Sequence, residues 1–163
     1  MGTDIFDIIR RAYQIEVDGY TFYSMTAEHT GKPAVQALFA QLAKDERQHQ
    51  EYLREVARNY GEKGPAVFEI PVHAPDLSAF ADPVFTEELR RQAEGAAFEA
   101  WVLSIGTVES NAIAHYSGAA NDATDDRARA FYQFLAVWER QHLVALQNAY
   151  KAIRSDFWHK SGL

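Results

Sequence analysis

A chain of 163 residues, 47% of them hydrophobic, is long enough for one domain with a substantial core and too apolar to stay disordered. Its formal charge of −7 argues against nucleic-acid binding and against anionic membrane surfaces. There is no Cys, which excludes disulfides and thiolate metal sites and leaves the redox compartment open. The first residues, Met-Gly-Thr-Asp-Ile-Phe-Asp, are acidic where a signal peptide would be basic. The most apolar stretch, Ala100 to Val108, is bounded by Glu99 and Glu109 and is too short to span a bilayer. A cytoplasmic protein is the expectation.

The first helical period runs from about Asp4 to His29, with Thr3 or Asp4 as cap and an end near Gly31. Its inward stripe reads Ile5, Ile9, Ala12, Glu16, Gly19, Tyr23, Ala27. The second helix starts at Pro33, a favourable first-turn residue, and is expected to end near Tyr60-Gly61, with residues 61–64 as a turn. Its stripe is Val35, Phe39, Leu42, Glu46, His49, Leu53, Val56.

From Gly61 to about Pro83 the pattern changes. Pro65, Pro71, Pro75 and Pro83 fall here, and no helical period survives. The segment reads as an extended crossover, partly packed through Val67, Phe68 and Ile70. A short helix from Thr86 to about Glu94 is expected to follow it. The third long helix covers about Ala96 to Ala120, with stripe Phe98, Val102, Ile105, Glu109, Ala112, Tyr116. Asn-Asp-Ala-Thr-Asp-Asp is a turn with a cap for the fourth helix, about Asp125 to Arg154. The fourth stripe is Phe131, Leu135, Glu139, His142, Leu146, Ala149, Ile153. The tail, 155–163, is left as a mobile or docked end, docking through Phe157 and Trp158.

The two halves repeat. Glu-Arg-Gln-His occurs at 46–49 and again at 139–142, and each copy has a Glu thirty residues upstream, Glu16 and Glu109. At the same offset of 93, Tyr23 matches Tyr116, Ala27 matches Ala120, Leu42 matches Leu135, Ala43 matches Ala136 and Leu53 matches Leu146. Short turns make each half an antiparallel hairpin, and the 61–95 segment must carry the chain across the bundle. The expected architecture is all-α: a single domain over 1–163, built as an antiparallel four-helix bundle. Its first hairpin covers about 4–60 and its second about 96–154.

Spacing then brings the polar residues together. Glu-x-x-His places a carboxylate and an imidazole one turn apart on one helix face. In an antiparallel hairpin, residues equidistant from the turn share a level. Glu16 and Glu46 are centred on residue 31, and Glu109 and Glu139 on residue 124. Both pairs meet about fifteen residues from their turns, roughly 22 Å along the helix at 1.5 Å per residue. One layer is therefore expected to hold Glu16, Glu46, His49, Glu109, Glu139 and His142. Four buried carboxylates repel one another, and a pair of divalent cations removes that penalty. Carboxylates with one His per metal and no thiolate suit iron or manganese better than structural zinc. The alternative is a buried polar network or surface residues; two level-matched copies in phase with the core stripes weigh against it.

These residues resemble the rubrerythrin family of the ferritin-like superfamily. The resemblance runs from Ile15-Glu-Val-Asp-Gly-Tyr-Thr-Phe-Tyr23 to Glu139-Arg-Gln-His142, most of the chain. It implies a ferritin-like bundle with two iron ions, for which manganese or zinc can substitute. Glu16, Glu46 and His49 would serve mainly one iron and Glu109, Glu139 and His142 mainly the other, with Glu46 and Glu139 as bridges. It implies an oxidoreductase that reduces peroxide or dioxygen, and a homodimer in which hairpins are sometimes exchanged. Two departures stand out. The family usually carries a four-cysteine electron-transfer domain, absent here, so electrons would come from a separate donor protein. The family also usually places a further Glu one turn after the third-helix Glu, where this chain has Ala112, the repeat mate of Gly19. That weakens peroxide reduction and leaves a ferroxidase or iron-handling protein as the alternative, with a non-enzymatic helical module holding structural metals as a third.

Other residues carry weaker expectations. Tyr23 and Tyr116 are core aromatics, with a hydrogen bond from at least one to a metal-binding carboxylate. Asp45, whose repeat mate is Trp138, is read evenly as a surface acid or as a residue orienting a ligand His from a neighbouring helix. Arg47 and Arg140 read as outward salt-bridge residues. His115 reads as an interfacial histidine, and Phe131, Phe134 and Trp138 as core or dimer contacts.

Overall fold

The computed structural model describes residues 5–63 and 96–160. They form four helices: α1 (Ile5–His29), α2 (Pro33–Lys63), α3 (Ala96–Asp122) and α4 (Asp126–Lys160). The described residues contain no strand, and the architecture is an all-α, ferritin-like four-helix bundle. The N-terminal cap and the crossover with its 86–94 helix lie outside the residues described; Phe98, Val102, Ala149, Ile153, Phe157 and Trp158 are described as helix only, so their inward packing or docking lies outside as well.

The turns explain the hairpins. Thr30 N–H donates to the Thr26 carbonyl at 3.1 Å, and Gly31 follows at φ 59°, the left-handed conformation that closes a helix. Pro33 then opens α2 within two residues. In the second turn, Asp125 Oδ1 accepts from the amides of Arg127 and Ala128, each at 2.9 Å, and so caps α4.

Two helices run longer than the sequence suggests. α2 continues through Gly61 to Lys63 instead of turning. Phe6 packs edge-on against Tyr60 at 5.2 Å, holding that last turn against the start of α1. α4 extends to Lys160 because neither Gly nor Pro occurs between Asp126 and Lys160.

The core consists of two apolar clusters. One joins Tyr23, Ala27, Val35, Leu38, Phe39 and Leu42 to Ile105 and Leu146 at the end of the first turn. The other joins Ile9, Ala12, Leu53 and Val56 to Ala112, Tyr116, Phe131 and Leu135 at the end of the second. The early part of α1 therefore packs beside the late part of α3, and the late part of α2 beside the early part of α4. The α1/α3 and α2/α4 pairs are antiparallel, which puts the end of α2 and the start of α3 at opposite ends of the bundle. All ten residues of the five matched pairs are buried. Each large apolar side chain removed from water contributes on the order of 1.5–3 kcal/mol.

Replacing Gly31 with Ala forces a Cβ into the left-handed region and is expected to cost about 1–2 kcal/mol. Urea denaturation of the variant checks this. Asp125→Ala is expected to cost about 1 kcal/mol through loss of the α4 cap.

Candidate metal centre

Between the two apolar clusters lies a polar layer. Glu16, Glu46, His49, Glu109, Glu139 and His142 are all buried, none more than 3% exposed. Each occupies an inward position of its helix, so the period that buries the apolar stripe also buries the carboxylate. Two donor groups overlap: Glu46, Glu109, Glu139 and His142 form one, and Glu16, His49 and Glu139 the other. Within each group one ligand atom per residue lies within 4.8 Å of the rest. These groups can hold metal ions.

Both imidazoles present Nδ1 to the carboxylates. His49 Nδ1 lies 2.9 Å from Glu16 Oε2 and 3.2 Å from Glu46 Oε2. His142 Nδ1 lies 3.4 Å from Glu46 Oε1, 3.8 Å from Glu109 Oε1 and 3.8 Å from Glu139 Oε2. Glu46 thus faces both histidines, and Glu139 belongs to both donor groups.

The layer is under-satisfied by protein alone. Glu46 Oε2, Glu139 Oε1, His49 Nε2 and both ring nitrogens of His142 are buried with no hydrogen-bond partner among the described residues. Leaving one such group unpaired costs roughly 1–3 kcal/mol. Orphaned carboxylate oxygens facing an imidazole nitrogen suit a cation.

Electrostatics agrees. Burial, then the Glu46 charge, pushes the Glu16 carboxyl up to about 7. Burial raises Glu109 and Glu139 well above the usual carboxylate range, with neighbouring Glu charges adding to it. Burial pulls His49 down, but Glu16 and Glu46 together overcome it and hold the imidazole well above its ordinary value. His142 is lowered, with burial the largest cause. Protons therefore occupy this layer when cations do not, and cation binding displaces them.

Tyrosines tie the halves together. Tyr23 on α1 donates to Glu109 Oε1 on α3, and Tyr116 on α3 donates to Glu16 Oε1 on α1 at 3.1 Å. Burial, reinforced by the Glu16 charge, raises the Tyr116 phenol well above its ordinary value, so it stays a donor. Gln50 Nε2 also donates to the Glu16 carbonyl at 3.0 Å. Asp45 is buried, not a surface acid: its Oδ1 accepts from Gln41 at 2.8 Å and its Oδ2 lies 4.0 Å from His142 Nε2. Burial raises its carboxyl.

Some features escaped the sequence reading. Trp138 stacks on His49 with ring centres 3.9 Å apart and planes 8° from parallel. Its place before Glu139, matching Asp45 before Glu46, was the signal available. Gly19 is the second: a Cβ there would stand 2.8 Å from Glu46 Oε1 and 3.1 Å from its Cδ, so Gly19 makes room for that carboxylate. Arg47 and Arg140 are exposed, Arg47 lying over the Tyr20 ring at 5.5 Å. His115 is exposed beside Tyr116. A groove of about 480 Å³ on the first hairpin is lined by Tyr20, Ser24, Gln36, Lys44, Arg47 and others, none of them a member of the polar layer.

The Rubrerythrin family model matches residues 7–150. The chain belongs to the rubrerythrin family. No curated protein and no solved structure matches it. The family match spans all six residues of the polar layer and both turns. Among the described residues, no helix is long and apolar enough to cross a membrane.

Glu16, Glu109, Glu139 and Asp45 bind protons more tightly when folded than when unfolded. Stability of the metal-free chain therefore falls as pH rises from the ordinary carboxylate range through about 7. His49, raised, contributes stability below its unfolded value and loses it as pH rises through its folded value; His142, lowered, acts in the opposite sense. The metal-free protein is expected to melt lower at pH of about 8 than at about 5.5, and a saturating divalent cation to reverse that order. Thermal scans at both pH values decide it. Gly19→Ala is expected to leave metal-free stability within about 1 kcal/mol, because helix propensity improves. It is expected to weaken cation binding severalfold by pushing Glu46 aside, a change calorimetry would register.

Proposed function

We propose that the protein is a non-haem diiron oxidoreductase of the rubrerythrin type, reducing peroxide or dioxygen with electrons from a separate donor protein. The observation that carries this reading is the overlap of the two buried donor groups through Glu139 in a chain of this family. Glu16, Glu46 and His49 would hold one ion, and Glu109, Glu139 and His142 the other. Glu46 and Glu139 would be shared, since each faces donors of both halves. When bound, two redox-active divalent ions supply two electrons to the oxidant and stabilise the negative charge that develops on its oxygens.

The protein's own groups set the conditions. The apolar clusters on either side keep bulk water out, which strengthens every charge interaction inside the layer. Tyr23 and Tyr116 fix one oxygen each of Glu109 and Glu16, leaving the other oxygen for a cation. The carboxyls would release their protons to solvent when cations enter, so that the carboxylates are free to bind them. With no Cys in the chain, the electrons that reset the centre come from elsewhere.

One observation favours a second reading, ferroxidase or iron handling. Ala112 stands where the resemblance leads one to expect a seventh carboxylate, and it packs in the apolar cluster. The centre is then a symmetric six-donor set.

Protein purified from iron-supplemented cells is expected to carry two irons per chain, and Glu46→Ala fewer than one. After anaerobic reduction, peroxide should reoxidise the centre faster than dioxygen does, as stopped-flow absorption would record. Oxidation by dioxygen alone would favour the ferroxidase reading, and a redox-inert centre would sink both.

A further inference from the structure

The residue preceding each of the paired Glu side chains reaches across to the histidine of the opposite half. Asp45, before Glu46 on α2, places Oδ2 4.0 Å from His142 Nε2 on α4. Trp138, before Glu139 on α4, lays its indole on the ring of His49 on α2 at 3.9 Å. The two contacts are related by the same 93-residue repeat as the ligands, but their chemistry differs.

Both histidines turn Nδ1 toward the carboxylates, which leaves Nε2 on the far side. A neutral imidazole that binds a cation through Nδ1 carries its proton on Nε2. At His142 that nitrogen lies 4.0 Å from Asp45 Oδ2, too far for a hydrogen bond but near enough for a negative charge there to favour the proton on Nε2 and make the imidazole a better electron donor. At His49 neither a hydrogen-bond partner nor a carboxylate within 4.0 Å meets Nε2 among the described residues, and the ring lies on an aromatic face instead. The Trp138 indole nitrogen is a donor only, so it offers His49 no acceptor. Stacking orients the His49 ring but adds no charge. Asp45 also brings a fifth carboxylate to the His142 side of a layer whose Glu residues are otherwise matched.

We propose that this difference makes the two metal positions unequal: the position served by His142 takes a divalent cation first and more tightly. Trp138 is the positioning residue that leaves the His49 position weaker. The inference rests on the dimetal reading above and extends it to the order of filling.

The test is a titration of the metal-free full chain with Co(II), followed by visible absorption and calorimetry. Two resolved steps are expected. His142→Gln should abolish the tight step, and His49→Gln should keep it. Asp45→Asn should weaken the first step about 10–100-fold, the usual effect of removing a carboxylate behind a ligand histidine. Trp138→Asp should strengthen the second step and draw the two together, while Trp138→Phe, which keeps a ring, should preserve the order. Far-UV circular dichroism confirms that each variant folds; if Trp138→Asp does not, the histidine and Asp45 variants still decide the matter. Two indistinguishable steps, a tight step lost in His49→Gln, or an unchanged first step in Asp45→Asn would each overturn the proposal. Absence of any stoichiometric Co(II) binding would instead overturn the dimetal reading itself.

Discussion

Four carboxylates and two imidazoles buried in one layer of a helix bundle are the constraint on which this structure turns. Apolar side chains on either side close the layer from water. Ionised carboxylates there repel, and protonated ones leave lone pairs and nitrogens without partners. Packing alone does not resolve that conflict; two divalent cations would, by balancing four negative charges with four positive ones. The helices are long enough to place apolar clusters both above and below the layer. The layer therefore sits at mid-height and not at a frayed end.

Neither hairpin completes the centre alone. Tyr23 of the first half holds Glu109 of the second, and Tyr116 of the second holds Glu16 of the first. Asp45 and Trp138 cross in the same manner to His142 and His49. Four of the six layer residues, Glu16, His49, Glu109 and His142, are thus contacted by the half to which they do not belong. Association of the hairpins and formation of the ligand geometry are one event, so a mutation at a crossing residue acts on both stability and the site. Buried polar networks of this kind specify one arrangement because every alternative leaves charged groups stranded.

The sequence contains the level of each ligand and the face it occupies, but not its partner across the bundle. The 3.6-residue period placed Glu16, Glu46, Glu109 and Glu139 on inward stripes, and the turns at Gly31 and residues 123–125 set their common height. Which helix faces which depends on how two hairpins dock, and nothing in a single period encodes that. For this reason Trp138 read as a core aromatic, Asp45 stayed undecided, and Tyr23 and Tyr116 could not be given specific carboxylates. Gly19 was placed on the inward stripe, yet its purpose appears only once Glu46 is seen against it. Helix ends were the other gap. Gly61 looked like a stop because glycine is a poor helix former, but a turn packed by Phe6 against Tyr60 outweighs about 1 kcal/mol of propensity.

Gly19 and Ala112 show how an exact repeat of ligands coexists with unequal surroundings. They are repeat mates, one turn beyond Glu16 and Glu109, and both are buried. At Gly19 the missing side chain is filled by the Glu46 carboxylate itself. At Ala112 the methyl joins the apolar cluster with Tyr116 and Leu135. A carboxylate added at 112 would be a fifth Glu in a layer whose four charges two divalent cations would already balance. Among the described residues Asp45 is a further buried acid beside the layer, and it lies 4.0 Å from His142 Nε2. The departures from two-fold symmetry therefore lie in the residues behind the six-membered layer, where Asp45 meets one histidine and Trp138 the other, and it is there that two bound cations would meet different surroundings.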